Sequence, residues 1–324
     1  MPMLNRLINL AALTALAGGL VAGGGALGAE LKIAHFMSPR HPMDSKLMRP
    51  WSEELAKLSG GSLTARIYPG GELGKGPQAQ LKRAIDGIAE ITFGLQGYTA
   101  AQFPLTTLIE MPGLGRNGVT GTRKLWAAMD RIGGEYGRVK VLALWTTESP
   151  ILMTKNKPIR SIEDIKGMKI RTPSKAQSLL IEALGATPVA MPITKAYQAL
   201  DTGVVDALMV PPSVIKSFKI GEVARYYTTG LPAGQSPFFL VMNKGAWDGL
   251  SGEHQALIDK TTGAGMSNRA AAVYDAAGAG GLESVTGTGK HEIIALPDAE
   301  VKKALSLMLK TRAQVVSEME AKGL

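Results

Sequence analysis

The chain has 324 residues, no cysteine, and 36 Lys and Arg against 27 Asp and Glu, a formal charge of +9. That length exceeds one comfortable core and fits two lobes, while 45% hydrophobic and 19% charged residues exclude a disordered chain and a polytopic membrane protein. The absence of cysteine excludes a disulfide framework, a thiolate-ligated metal and a cysteine nucleophile, and the basic residues are too dispersed for a nucleic-acid face.

Met1–Ala29 has a single Arg6, an apolar run over Leu7–Val21 and small residues at Ala26, Gly28 and Ala29. This is the layout of a Sec signal peptide, so residues 1–29 are expected to be removed and the mature protein to lie in the periplasm. Strand-like runs then follow at Leu31–Phe36, Leu63–Pro69, Glu90–Leu95, Val139–Trp145, Ile151–Lys155, Lys169–Arg171, Val189–Met191, Ala207–Val210, Phe238–Asn243 and His291–Leu296. Helical periodicity separates them, with apolar faces such as Leu47, Met48, Trp51 and Leu55, or Leu81, Ile85 and Ile88. The alternation predicts an α/β fold with two mostly parallel sheets of about five strands, each flanked by helices.

Two stretches join strands without a helix, Trp145–Pro150 and Gly230–Pro237, and read as hinge crossovers between lobes. They divide the chain into lobe I, residues 30–148 and 237–280, and lobe II, residues 149–236 and 281–324. Asp298–Lys322 reads as a strong terminal helix with Asp298 as its N-cap, clamping one lobe. Ala270–Gly281, rich in Ala and Gly, reads as a close-packed helix with a frayed end.

Catalytic signatures are missing: the sequence has no G-x-S-x-G, H-E-x-x-H, P-loop or G-x-G-x-x-G after a strand. His35 and His41 flank Phe36–Arg40 with Asp44 as their one acidic neighbour at ligand spacing, a poor metal set that reads better as a strand end and a helix entry. No enzyme, cofactor or metal is therefore expected. Other residues invite a binding role. Arg171 ends a strand just before Thr172–Pro173, at the edge where open α/β sheets bind ligands, and a guanidinium fork matches a carboxylate.

The motifs around Arg171 are the most specific in the chain: NKPIRSIEDIKGMKIRTP at Asn156–Pro173, LGATPVAMP at Leu184–Pro192 and AYQALDTGVVDA at Ala196–Ala207, preceded by ARIYPGGELG at Ala65–Gly74 and IEMPGL at Ile109–Leu114. In order and spacing they resemble the solute receptors of TRAP transporters, the tripartite ATP-independent periplasmic carriers of organic acids, and the resemblance extends from Leu31 to Leu324. It implies a two-lobed periplasmic-binding-protein fold with a long helix spanning both lobes, for which Ala246–Ala277 is the suitable stretch, kinked at Gly263 and Gly265. It also implies a receptor that closes on a small carboxylate and delivers it to the small and large permease subunits, a monomer being the default for a receptor that must dock and release.

By the same resemblance Arg171 is the arginine that pairs with the ligand carboxylate. Phe93 and Gln96 end a strand where relatives often place contacts, and Val210, Pro211 and Ser213 occupy a segment where many carry Asn or Gln. Trp145 and Phe238 at the crossovers are candidate walls, His35 is a candidate at the end of the first strand, and Ser174 can cap its helix or touch the ligand. Ser149–Lys155 lacks the second arginine of several members, and Gly74–Gln78 lacks a common acidic residue. A single arginine amid apolar neighbours fits a monocarboxylate with an apolar or aromatic body. The receptor of an ABC or tripartite tricarboxylate carrier, and an exported enzyme on the same fold, remain as alternatives.

Overall fold

The computed structural model describes residues 28–324; the expected signal peptide lies almost wholly outside them. The chain builds two sheets. The first, ordered β2-β1-β3-β10-β4, contains β1 (Ala29–Ala34), β2 (Leu63–Tyr68), β3 (Ile91–Leu95), β4 (Val139–Thr146) and β10 (Pro237–Asn243). The second, ordered β11-β9-β5-β8-β6-β7, contains β5 (Ile151–Thr154), β6 (Lys169–Thr172), β7 (Thr187–Ala190), β8 (Ala207–Val210), β9 (Tyr226–Thr229) and β11 (Glu292–Ala295).

Parallel pairing holds where helices return the chain, as in β1 with β2 and β3, or β6 with β7 and β8. The exceptions are β5 and β10, each antiparallel to both neighbours. They are the strands that follow Trp145–Pro150 and Gly230–Pro237, and a chain that crosses directly to the other sheet has no helix to turn it round. β9 was not among the sequence-predicted strands: YYTT is short and polar at one end, and it is held in the sheet by pairing with β5 and β11.

The stretch expected as one long helix is three: Lys244–Asp248, Gly252–Thr261 and Gly263–Glu283. The first break lies between Asp248 and Gly252, and the second falls at Gly263, whose φ of +71° is left-handed and cannot continue an α-helix. The last piece is the crossing helix, and it runs through the Ala/Gly tract without fraying, because small residues let it lie against both lobes. Gly118 of lobe I donates its N–H to Asp275 at 2.8 Å, while a Cβ on Gly281 would stand 2.3 Å from the Pro212 carbonyl oxygen. The C-terminal helix Asp298–Glu320 starts with Pro297, not Asp298, at the N-cap. It buries Ala304 and Met308 in the core of the second sheet, then passes onto the first lobe, where Arg312 donates to the Pro112 carbonyl at 3.1 Å.

One apolar core joins the inner faces of the two sheets, with Phe93, Trp145 and Phe238 from the first meeting Leu208, Val210 and Val214 from the second. The crossing helix supplies a test of this packing. Gly→Ala in a helix gains about 0.5–1 kcal/mol of propensity, whereas overpacking costs about 1–3 kcal/mol. A Cβ on Gly280 would have nothing within 4 Å, whereas one on Gly281 would meet backbone at 2.3 Å. Gly280→Ala is expected to raise the thermal unfolding midpoint and Gly281→Ala, one residue on, to lower it.

Candidate functional site

Strand alternation aims Arg171. In β6, Ile170 points into the core on the outer face of the second sheet, so Arg171 points to the inner face, beside Leu208 and opposite the first lobe. The side chain is 2% exposed. Nε donates to the Met191 carbonyl at 2.9 Å and Nη1 is turned to that of Met209 at 3.5 Å, while Nη2 has no acceptor in hydrogen-bond geometry among the described residues, the Tyr98 hydroxyl being a neighbour that the guanidinium feels electrostatically. No carboxylate pairs with it among the described residues. Burial lowers its pKa from the ordinary guanidinium value, partly offset by Tyr98, yet a guanidinium stays cationic in proteins.

Arg171 lines a cavity of about 40 Å³ between the sheets, walled by Phe36, Tyr98, Phe238 and Tyr274 from one side and by Arg171, Val210 and Pro211 from the other. Phe238 sits at the centre of a stack. Its ring lies 5.0 Å from Phe93 at 9°, 6.2 Å from Trp145 at 13° and 5.4 Å from Tyr274 at 28°. The antiparallel register sets this, since Phe238 pairs directly with Trp145 and with Leu95, two residues beyond Phe93.

Of the sequence-predicted residues, Arg171, Val210, Pro211 and Phe238 meet at the cavity. Phe93 and Trp145 are fully buried as the layer behind Phe238. The remaining four have other partners. Gln96 donates to the Tyr136 hydroxyl at 2.9 Å. Ser174 caps the helix Lys175–Ala183 by accepting from the Gln177 N–H at 3.1 Å. The Ser213 N–H donates to Glu148 at 2.7 Å. His35 bonds Asp44 at 2.9 Å, and Asp44 also pairs with Arg49. Among the described residues no three His, Asp or Glu side chains are grouped to hold a metal ion. Sequence reasoning missed Phe36, Tyr98 and Tyr274; their aromatic character in a chain with only 5% aromatics was the available signal.

The model of the bacterial extracellular solute-binding proteins, family 7 (DctP), matches residues 33–314. The chain belongs to this family. A TRAP solute-binding protein from Rhodoferax ferrireducens, solved with copurified benzoate, superimposes with a TM-score of 0.87 at 28% identity, over 91% of this chain and 93% of that one. A marine metagenome TRAP solute-binding protein specific for aromatic acid ligands, solved with 3-hydroxybenzoate, gives 0.88 at 28% identity, covering 92% and 94%. In sequence, a solute-binding protein of Albidiferax ferrireducens is 29% identical over 82% of this chain and 79% of its own. This family 7 chain is thus a TRAP-type solute receptor and not an enzyme, and none of its described helices is long and apolar enough to cross a membrane.

The receptor also buries two carboxyls where its lobes meet. Glu110, from the 3₁₀ turn Thr106–Glu110 of the first lobe, accepts from Ser174 Oγ at 2.5 Å, and Gln177 of the same helix donates to Ser236 Oγ on the second crossover at 2.9 Å. Burial pushes Glu110 up to about 8, against the pull of Ser174 and Ser236. Glu148 on the first crossover is pushed up to about 7, again first by burial. A carboxyl whose pKa is raised by folding is held protonated, so its contribution is complete below the unfolded value of 4.5 and is lost as pH rises through the folded one. Stability is therefore expected to decline between pH 4.5 and about 8. Unfolding midpoints across that range should fall less for Glu110→Gln, which keeps a neutral hydrogen-bonding group; an equal decline in both proteins removes Glu110 as the cause.

Proposed function

We propose that this receptor captures a monocarboxylate with an aromatic or other flat apolar body and passes it to the small and large subunits of a TRAP permease. The observation that carries the reading is Arg171: a buried cation whose Nη2 lacks an acceptor among the described residues, on a side chain that lines a mostly apolar cavity. Leaving a buried charge uncompensated is costly, and a ligand carboxylate removes that cost. The stacked rings of Phe238 and Tyr274, with Phe36 beside them, offer flat faces for an aromatic ring. Benzoate and 3-hydroxybenzoate, held by the two solved relatives, are acids of this kind.

Capture requires motion. The cavity of about 40 Å³ is smaller than the roughly 150 Å³ that holds a benzene in an engineered protein core. The acid enters as the lobes part about the two crossovers and is held as they close on it from both sides. The layout of Met1–Ala29 supports Sec export to the periplasm, where the permease is reached.

Thermal unfolding and calorimetry on the refolded, ligand-stripped protein test this with benzoate, 3-hydroxybenzoate, mandelate, succinate and glucuronate. The aromatic acids should raise the unfolding midpoint most. Arg171→Ala should cost about 2–5 kcal/mol of binding, a loss of roughly thirtyfold or more in affinity. Stabilisation by succinate or glucuronate alone would replace the aromatic acid with another, and equal binding by Arg171→Ala would remove the carboxylate clamp.

A further inference from the structure

Arg171 is an incomplete clamp. A guanidinium usually holds both oxygens of a carboxylate with two parallel N–H donors from two nitrogens. Here Nε and Nη1 are turned to the carbonyls of Met191 and Met209, which leaves Nη2 as the guanidinium nitrogen without a hydrogen-bond partner among the described residues, on a side chain that lines the cavity. A carboxylate bound to Nη2 has a second oxygen that needs a donor from elsewhere, because a desolvated anion with an unmet oxygen binds poorly.

Tyr98 stands where that donor is needed. It comes from the segment Gln96–Gln102 that follows β3 in the first lobe, and it lines the same cavity as Arg171. Its hydroxyl oxygen reaches across to the second lobe and accepts the Ile193 N–H at 2.9 Å. The phenol proton has no acceptor among the described residues. Burial raises the Tyr98 pKa, while Arg171 and the Ile193 N–H pull it the other way; the net direction is upward, so the hydroxyl is a donor at neutral pH. Phe36, whose ring centre is 6.1 Å away, steadies the Tyr98 ring.

We propose that Tyr98 is the first lobe's half of the carboxylate clamp: its hydroxyl donates to one oxygen of the ligand carboxylate while Arg171 Nη2 donates to the other. The inference rests on the carboxylate reading of the cavity and adds the residue that completes it. The Ile193 N–H holds the phenol oxygen in place, so closure of the lobes assembles the donor pair, and neither lobe alone presents it. Two donors facing one group also select against an amide, which offers a single acceptor and an N–H₂ that meets donors head-on.

The test measures binding of carboxyl-¹³C-labelled benzoate to the ligand-stripped wild type, Tyr98→Phe and Arg171→Ala. Tyr98→Phe is expected to weaken benzoate about 10- to 100-fold, as for loss of a hydrogen bond to a charged group. The ¹³C resonance of the bound carboxyl should move as well, with the ligand-free unfolding midpoint changed by only a few degrees. Binding within twofold of wild type overturns the proposal, and so does weaker binding with an unmoved resonance, which would make Tyr98 an interlobe contact only. If Arg171→Ala loses benzoate and Tyr98→Phe does not, the carboxylate reading stands and the Tyr98 role falls. If benzoate binds neither the wild type nor the variants, both fall together.

Discussion

The interaction on which this structure depends is one that the protein leaves unfinished. Arg171 is held 2% exposed by two backbone carbonyls, with no carboxylate of the described residues against it. Carbonyl dipoles soften the desolvation of a guanidinium but do not neutralise it. A protein that needed only stability would replace this arginine with an apolar side chain of similar volume, which is often neutral or favourable. Keeping it makes sense where the missing charge arrives from outside. In the proposed function, the free energy that stabilises closure comes from an ion pair absent in the open form, which gives the ligand the different affinities for the two states that any population shift requires.

The surroundings decide how strong that pair is. Of 4 Trp, 7 Tyr and 6 Phe in the whole chain, Phe36, Phe93, Trp145, Phe238 and Tyr274 form one connected layer on the first lobe. In the proposed function this low-polarity wall excludes water from the ligand carboxylate as the lobes meet, which strengthens the pair and penalises its loss. The layer is also rigid, since three of its rings sit on neighbouring strands β3, β4 and β10 with fixed register. One lobe thus supplies a pre-shaped apolar face and the other a charge, and the ligand must satisfy both.

What the sequence made legible and what it hid divide along local and non-local lines. Arg171, Val210, Pro211 and Phe238 lie at strand ends, and strand ends are readable from short apolar runs and their flanking prolines. Tyr98 was unreadable in this way, because Gln96–Gln102 is a 3₁₀ segment of polar and small residues with no periodicity. Tyr274 lies on the helix expected to span the lobes, but nothing local in its sequence says that its ring joins the Phe238 stack. Ser174 was recognised as a cap or contact, but its hydrogen bond to Glu110 joins residues 64 apart in sequence. The antiparallel entry of β5 and β10 likewise follows from where the chain crosses, not from the composition of either strand.

Glu110 and Glu148 show why such burial matters for function. A glutamate within IEMPGL or WTTESP looks solvent-exposed, since charged side chains are almost never fully buried unless paired. Both are nevertheless enclosed at the junction of the lobes, and the partners that enclose them, Ser174 for one and Ser213 for the other, come from the second lobe. Enclosure between the lobes, which in the proposed function strengthens a carboxylate pair at Arg171, also raises the pKa of both carboxyls. Parting the lobes lets water reach all three groups at once. The two acids then regain the hydration that favours their ionised forms, and in the proposed function the arginine loses the water-free setting that makes a ligand carboxylate valuable to it, so opening the cavity and loosening the ligand are one event.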